Sequence, residues 1–374
     1  MYTVAVLARG AAPGYVVTSD AGVSHRRMSQ IPYYIAGILG LSFLVVVHES
    51  GHYLVARAFG MRVLRFSIGL GPAIVRYTPK GSPTTFQICA IPLLAYVQIA
   101  GMNPAEEIDR DDPTLFPNKS VFARIATIAA GSLANYASAS VLFFGLALVG
   151  LPEAGPPVSP MVVEDVSADS AAKAAGILAG DVVVEANGER VRDVRDVQRI
   201  TKQRGARATT FVVERGGHRR TLTMTPKLDA GGTPRIGVVS AVTVNYVSKP
   251  IGEALRLALL YPIVFSAAQA EGIYDMVRRL SGEGLISPKG MTEEAAKAAK
   301  RGPSSFVLLL IHLSIAIGFS NLLPIPALDG GRLAFLAYEV ITRRRPNEKF
   351  EAIVHLVGLV FLLSVVVAVM INGH

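Results

Sequence analysis

The sequence predicts a polytopic α-helical membrane protein of about four transmembrane helices, with a small α/β domain inserted between the second and third. Three observations carry this. The 374 residues are 51% hydrophobic and only 17% charged, against about 25% charged in an ordinary soluble domain. The apolar residues gather into four runs, each near the roughly 20 residues that a spanning helix needs. Charged residues return, with short alternating strand patterns, between residues 161 and 239. Disorder is excluded by the abundance of Val, Leu, Ile and Ala. An intramolecular disulfide is excluded because Cys89 is the only cysteine.

Residues 1–30 read as an N-terminal tail, not a signal peptide, since no small-residue cleavage site follows an isolated apolar core. The first span runs from Ile31 to Val47 and continues, past a polar interruption, through Tyr53 to Phe59. The second covers about 125–151, so that 31–151 forms a first membrane half. Pro152, Pro156, Pro157 and Pro160 read as a linker. The inserted domain occupies 160–242, with strands expected at 161–166, 181–186, 210–214, 221–226 and 235–239. A short helix follows Ser170, and Asn187-Gly188 signals a tight hairpin. Residues 243–305 read as an amphipathic helix and a loop rich in Gly, Lys, Ser and Pro. The second membrane half, 306–374, carries spans at about 306–323 and 353–371.

The net charge is +9. Its Lys and Arg residues flank the apolar runs, which points to the positive-inside rule and away from nucleic acid as a partner. Arg57, Arg62, Arg65, Arg76, Lys80, Arg110 and Lys119 lie between spans one and two. Arg332, Arg343, Arg344, Arg345 and Lys349 lie between spans three and four. Both loops are expected in the cytoplasm, and the inserted domain outside.

The first span contains His48-Glu49-Ser50-Gly51-His52, an H-E-x-x-H motif. Residues i and i+4 share a helix face, so the two imidazoles can bind one Zn²⁺, with Glu49 placed as general base. Two histidines and an acid in an apolar run are costly without a partner, and a metal supplies one. A catalytic zinc takes three protein ligands and keeps a position open. Two candidates for the third ligand stand: His312, inside span three, and Asp329, just past it. Asp329 is favoured, because Pro324 and Pro326 break the helix there and let a carboxylate face a polar cavity. His355 reads as interfacial; His25, His218 and His374 read as solvated.

Two resemblances follow from these residues. The run from Ala175 to Asp181, with Val182–Val191 after it, resembles a PDZ domain of the bacterial type. His48–His52 together with Asn321–Arg332 resemble the site-2 protease family of intramembrane zinc metalloproteases, in its bacterial sigma-factor-regulating branch with one PDZ domain. Residues 66–72 and 91–97, within 62–99, resemble that family's membrane-associated β-hairpin region, and Ala130–Asn135 its A-G-P-x-x-N segment. The resemblance implies that His48, His52 and Asp329 bind Zn²⁺ and that Glu49 activates the attacking water. It places Asn321, Pro324 and Asn135 among the substrate-binding residues. It also implies that the β region around Thr84–Ala90, with Thr84, Phe86 and Ile88, pairs with an unwound substrate strand.

The implied activity is cleavage of transmembrane segments of single-pass proteins, anti-sigma factors or signal-peptide remnants among them. The implied setting is the bacterial inner membrane and its lipid bilayer, with a peptide or chain end on the PDZ domain outside. Ser132 stands where the family has proline, Leu94-Ala95 where it has a Gly-Gly pair, and Ser287–Gly290 is an imperfect S-G-P-x-G; none is a metal ligand. The competing expectations are an inactive scaffold that recruits partners through the PDZ domain, against which the intact H-E-x-x-H and Asp329 argue, and a transporter, which would carry inverted repeats.

Overall fold

The computed structural model describes residues 15–17, 31–103, 106, 108–167, 169–229, 232–279 and 288–371. Most of the tail 1–30, and Ser287 of the imperfect S-G-P-x-G segment, lie outside the described residues. The chain divides into two compact units, Val149–Lys249 with Met1–Arg26, and Arg27–Leu148 with Pro250–His374.

The membrane unit is built from α1 (Ile31–Ala58), β1 (Val63–Tyr77), β2 (Thr85–Ile99), α2 (Val121–Val149), α3 (Ile251–Arg279), α4 (Pro288–Arg301), α5 (Pro303–Leu322), α6 (Asp329–Thr342) and α7 (Glu348–Ile371). The polar interruption in the first apolar run does not break α1. Its buried residues, Gly37, Gly40, Leu44, His48, Gly51, His52 and Ala56, step by three or four into one stripe. Ile31, Ile35, Leu39, Phe43 and Leu54 are exposed on the other side. The motif residues therefore lie on the packed face.

Among the described residues, five helices are long and apolar enough to cross a membrane: Ile31–Ala58, Val121–Val149, Ile251–Met276, Pro303–Leu322 and Lys349–Ile371. Four match the expected spans. The fifth lies in α3, expected to be amphipathic. The loop expected before span three contains α4, whose Ala295, Ala296 and Ala298 are buried. Regular Ala spacing among Glu and Lys gives it a helical face that the Gly and Pro at its edges obscured.

The β region folds into a small four-segment sheet. Residues 63–68 of β1 run antiparallel to 95–99 on one side and alongside 85–88 in the same direction on the other; residues 73–77 run antiparallel to the far side of 86–89. Residues 86–88 therefore lie in the interior of the sheet, and 95–99 form an edge.

A buried ion pair ties α6 to α2. Arg124 donates to both carboxylate oxygens of Glu339, at 3.0 and 2.6 Å. Removing one partner of a buried pair strands the other charge and costs about 3–5 kcal/mol, whereas replacing both by apolar side chains costs far less. Glu339→Ala is accordingly expected to lower unfolding stability in detergent by about 3 kcal/mol or more, and Arg124→Leu/Glu339→Leu by much less. Equal losses in single and double variants would show that the pair is not the cause.

The second unit is a β domain. Its long strand Val238–Val247 pairs antiparallel with Met161–Val166 and Leu151–Pro157 and parallel with Tyr15–Val17; beyond Met161–Val166 the sheet continues through Val182–Ala186, Thr209–Arg215 and His218–Met224. The proline-rich stretch expected as a linker is thus the strand Leu151–Pro157. Its prolines are compatible with a strand that is partnered on one side only. Alternate residues Met161, Val163, Phe211 and Val213 are buried against Val197 and Ile200 of the helix Val194–Arg204. Asp193 caps that helix by accepting from the Arg195 N–H. Asn187 and Gly188 have φ of 50° and 80°, the left-handed pair that a two-residue hairpin needs.

Asp181 is fully buried and its two oxygens accept from Arg215 at 2.6 and 2.7 Å. The Arg215 guanidinium holds the Asp181 carboxyl below the usual carboxylate range. A depressed folded-state pKa stabilises above the unfolded value near about 4 and loses that contribution as pH falls. The thermal midpoint of this domain is expected to fall between pH 7 and pH 3, and to fall less in Asp181→Asn. Identical slopes would remove Asp181 as the source.

Candidate active site

α1 and α2 run antiparallel in close contact, because neither presents a side chain where they touch. A Cβ on Gly51 would lie 2.2 Å from the Ala130 carbonyl oxygen, and one on Gly131 would lie 2.3 Å from His52 Nε2 and 2.8 Å from His48 Cε1. The two imidazoles occupy the space that Gly131 leaves.

α5 runs parallel to α1 and brings Asp329 to the same place. His48 Nε2 and Asp329 Oδ2 are 3.1 Å apart, His52 Nε2 and Asp329 Oδ2 3.2 Å, and the two Nε2 atoms 3.2 Å. The remaining ring nitrogens have partners behind them. His52 Nδ1 donates to the Thr127 carbonyl at 2.8 Å, and His48 Nδ1 pairs with Asn135 Oδ1 at 2.9 Å. A carbonyl can only accept, so the His52 proton is on Nδ1. Asn135 Nδ2 donates to Ser314 Oγ and the Leu44 carbonyl, which leaves Oδ1 as acceptor for His48. With both rings neutral, the two Nε2 lone pairs face one another and a carboxylate.

Three acceptors at this separation repel unless a proton or a metal ion lies among them. Metal bonds of about 2.0–2.1 Å in a tetrahedron give ligand separations of about 3.3–3.4 Å, close to those found. Among the described residues this is the one His, Cys, Asp and Glu group with metal-binding geometry.

Residues 36–365 match the family model described as Peptidase family M50. The chain belongs to peptidase family M50. It is 32% identical over 368 residues to the metalloprotease MmpA of Caulobacter vibrioides, covering 87% of this chain and 90% of that protein. A protein of Mesorhizobium japonicum that carries a provisional zinc-metalloprotease name is 35% identical over 352 residues, covering 86% of this chain and 93% of that protein. Among solved structures, the PDZ domain of an SdrC-like protein from Listeria monocytogenes aligns with 23% of this chain and 92% of its own length, at 18% identity and a TM-score of 0.21.

Within this M50 peptidase, Glu49 follows His48 on α1, and its Oε2 accepts the Val97 N–H at 3.0 Å. The edge strand 95–99 thus lies against the motif. Residues Thr84–Ala90 do not take that position. Residues 86–88 are paired on both sides, with 66–68 and with 75–77. Thr84 is fully buried and donates to the Val63 carbonyl. Phe86 packs edge-on against Tyr53, and Ile88 is exposed.

Asn135, expected at the substrate, is fully buried behind His48 and fixes its orientation. Asn321 is half-buried near the end of α5 and donates to the Ile317 carbonyl on its own helix; Pro324 is exposed just beyond. His312 is apart from the group of His48, His52 and Asp329. It pairs with the Tyr261 hydroxyl at 2.5 Å and stacks on Phe265, tying α3 to α5. His218 is exposed, as expected.

Three contributors were not singled out in the sequence: Gly131, the Thr127 carbonyl and Ser314. Gly131 had a signal, since Ala130–Asn135 already stood out, but a glycine's role as empty space shows only against its neighbours. A backbone carbonyl has no signature in side-chain identities.

Proposed function

We propose that the protein is a zinc-dependent intramembrane endopeptidase that hydrolyses peptide bonds within transmembrane segments of single-pass membrane proteins. The observation that carries this is the convergence of His48 and His52, on the membrane-length helix α1, with Asp329, which follows the membrane-length helix α5. His48 lies about 15 Å along α1 from Ala58 at about 1.5 Å per residue, within the reach of a hydrocarbon layer about 30 Å thick. Zinc held by these three residues supplies a Lewis acid for the scissile carbonyl and a water of lowered pKa. Glu49 takes the proton from the attacking water and returns it to the departing amine. The Val97 N–H orients that carboxylate. Asn135 and Thr127 keep both imidazoles in the tautomer that offers Nε2.

A transmembrane helix satisfies its own amides and must be unwound before a carbonyl is reachable. The edge strand 95–99, beside Glu49, can replace the lost hydrogen bonds by β-addition. A cavity of about 220 Å³ borders α6, lined by Arg124, Arg332, Glu339 and Arg345 together with apolar side chains such as Met102, Phe335 and Leu336. Arg332 lies one turn along α6 from Asp329.

Four crossings fit the chain better than five. α1 and α5 are parallel, so both enter the membrane from one side. α2 returns the chain to that side. A full crossing by α3 would require a second return through residues 280–302, which carry Glu283, Lys289, Glu293, Glu294, Lys297, Lys300 and Arg301. α3 therefore enters without crossing. The basic loops then lie with the site's open end in the cytoplasm, and the β domain lies outside, where a PDZ-type groove would take an extended peptide or chain end.

Chelation followed by metal return tests the metal requirement. Cleavage of a transmembrane peptide in phospholipid is expected to stop on chelation and to recover with about one equivalent of Zn²⁺. Cleavage that persists in metal-free protein would overturn it.

A further inference from the structure

α7 is nearly bare. Ile353, Leu356, Val357, Val360, Phe361 and Leu363 are all exposed, as expected of a lipid-facing helix. Among its described residues, Gly358 alone is fully buried. A Cβ there would lie 2.3 Å from Pro326 Cβ and 2.8 Å from its carbonyl carbon. One turn earlier on the same face, His355 Nδ1 accepts the Ala327 N–H at 3.0 Å. α7 is thus held against Pro326 and Ala327, in the segment that delivers Asp329, and against the start of α6, where a Cβ on Gly331 would lie 3.2 Å from His355 Cε1.

Within that segment the Ile325 N–H donates to the Leu323 carbonyl and the Leu328 N–H to the Ile325 carbonyl, yet one residue between them is strained. Ala327 has a φ of 75°, a left-handed conformation costing an L-residue about 1–2 kcal/mol. Leu328 precedes α6 without a side-chain cap. Asp329 is the first residue of α6, so a rotation at Ala327 would swing its carboxylate away from the imidazoles. His355 opposes that rotation with a hydrogen bond to the strained residue itself.

We propose that His355 is a positioning residue for the metal centre, holding Ala327 in its left-handed conformation and so aiming Asp329 at His48 and His52. It rests on Asp329 being a metal ligand. The acceptor at Nδ1 is the active feature. A histidine whose Nδ1 accepts carries its proton on Nε2, so the neutral ring suffices. Asparagine places its Oδ1 where Nδ1 lies, one bond from Cγ. Glutamine places its amide near Nε2, where it cannot reach the Ala327 N–H in the same rotamer.

The test is zinc affinity by chelator competition on the purified full-length protein, for His355→Asn, His355→Gln, His355→Ala and Ala327→Gly/His355→Ala, beside Asp329→Asn. Loss of a hydrogen-bonding partner behind a metal ligand typically costs about 10–100-fold in affinity. His355→Ala and His355→Gln are expected to fall in that range, and His355→Asn to stay within about threefold of wild type. Ala327→Gly should recover part of the His355→Ala loss, because glycine adopts the left-handed conformation without strain. The peptide KM should not move. If His355→Ala does not fold, the Asn and Gln variants still decide. Equal affinity in those two, whether both retained or both lost, would overturn the proposal. Asp329→Asn separates it from the site reading: unchanged zinc there would sink the ligand assignment, whereas lost zinc there with unaffected His355 variants would sink only the role of His355.

Discussion

Glu49→Gln is expected to lower turnover by about 10²–10⁴-fold, the range for loss of a general base, with zinc content unchanged. Glutamine keeps an oxygen that can accept the Val97 N–H, the bond that orients Glu49 at 3.0 Å. The site geometry should therefore survive while the proton acceptor is lost. A thermal melt and a metal assay on the same preparation check that separation. Turnover near wild type would mean that another group takes the proton. Loss of zinc together with activity would mean that Glu49 contributes to holding the metal.

Asp329→Asn is expected to weaken zinc binding by more than the roughly 10–100-fold that follows loss of a partner behind a ligand. The carboxylate is the only anion of the three ligands, and a neutral amide offsets less of the cation's charge. His312→Ala should leave zinc content at the wild-type level, since His312 pairs with Tyr261 and lies outside the ligand group. Metal analysis of both variants after dialysis reads the contrast. The reverse pattern would transfer the ligand role to His312.

The membrane helices were legible because uninterrupted apolar runs of spanning length have few other uses. The imidazole pair was legible because i, i+4 spacing is a property of one helix. Asp329 was harder, being 281 residues from His48 in sequence, and the local break at Pro324 and Pro326 favoured it over His312 without excluding the latter. Contacts between distant segments were not legible. Asn135 lies 87 residues from His48, and nothing in its own segment says whether its amide faces a ligand or a substrate. The interior position of residues 86–88 depends on β1 and β2 each bending back on itself, which an alternating pattern cannot reveal. His355 sits in an apolar run that reads the same whether its ring meets headgroups or a backbone amide.

The most direct measurement is the position of the cut. A single-pass peptide with mass-labelled flanks would be incubated in phospholipid vesicles with wild-type protein and with Glu49→Gln, and the products mapped by mass spectrometry. The account predicts fragments ending inside the apolar segment with the wild type and intact peptide with the variant. Cuts confined to the flanks, or identical fragments from both proteins, would contradict it.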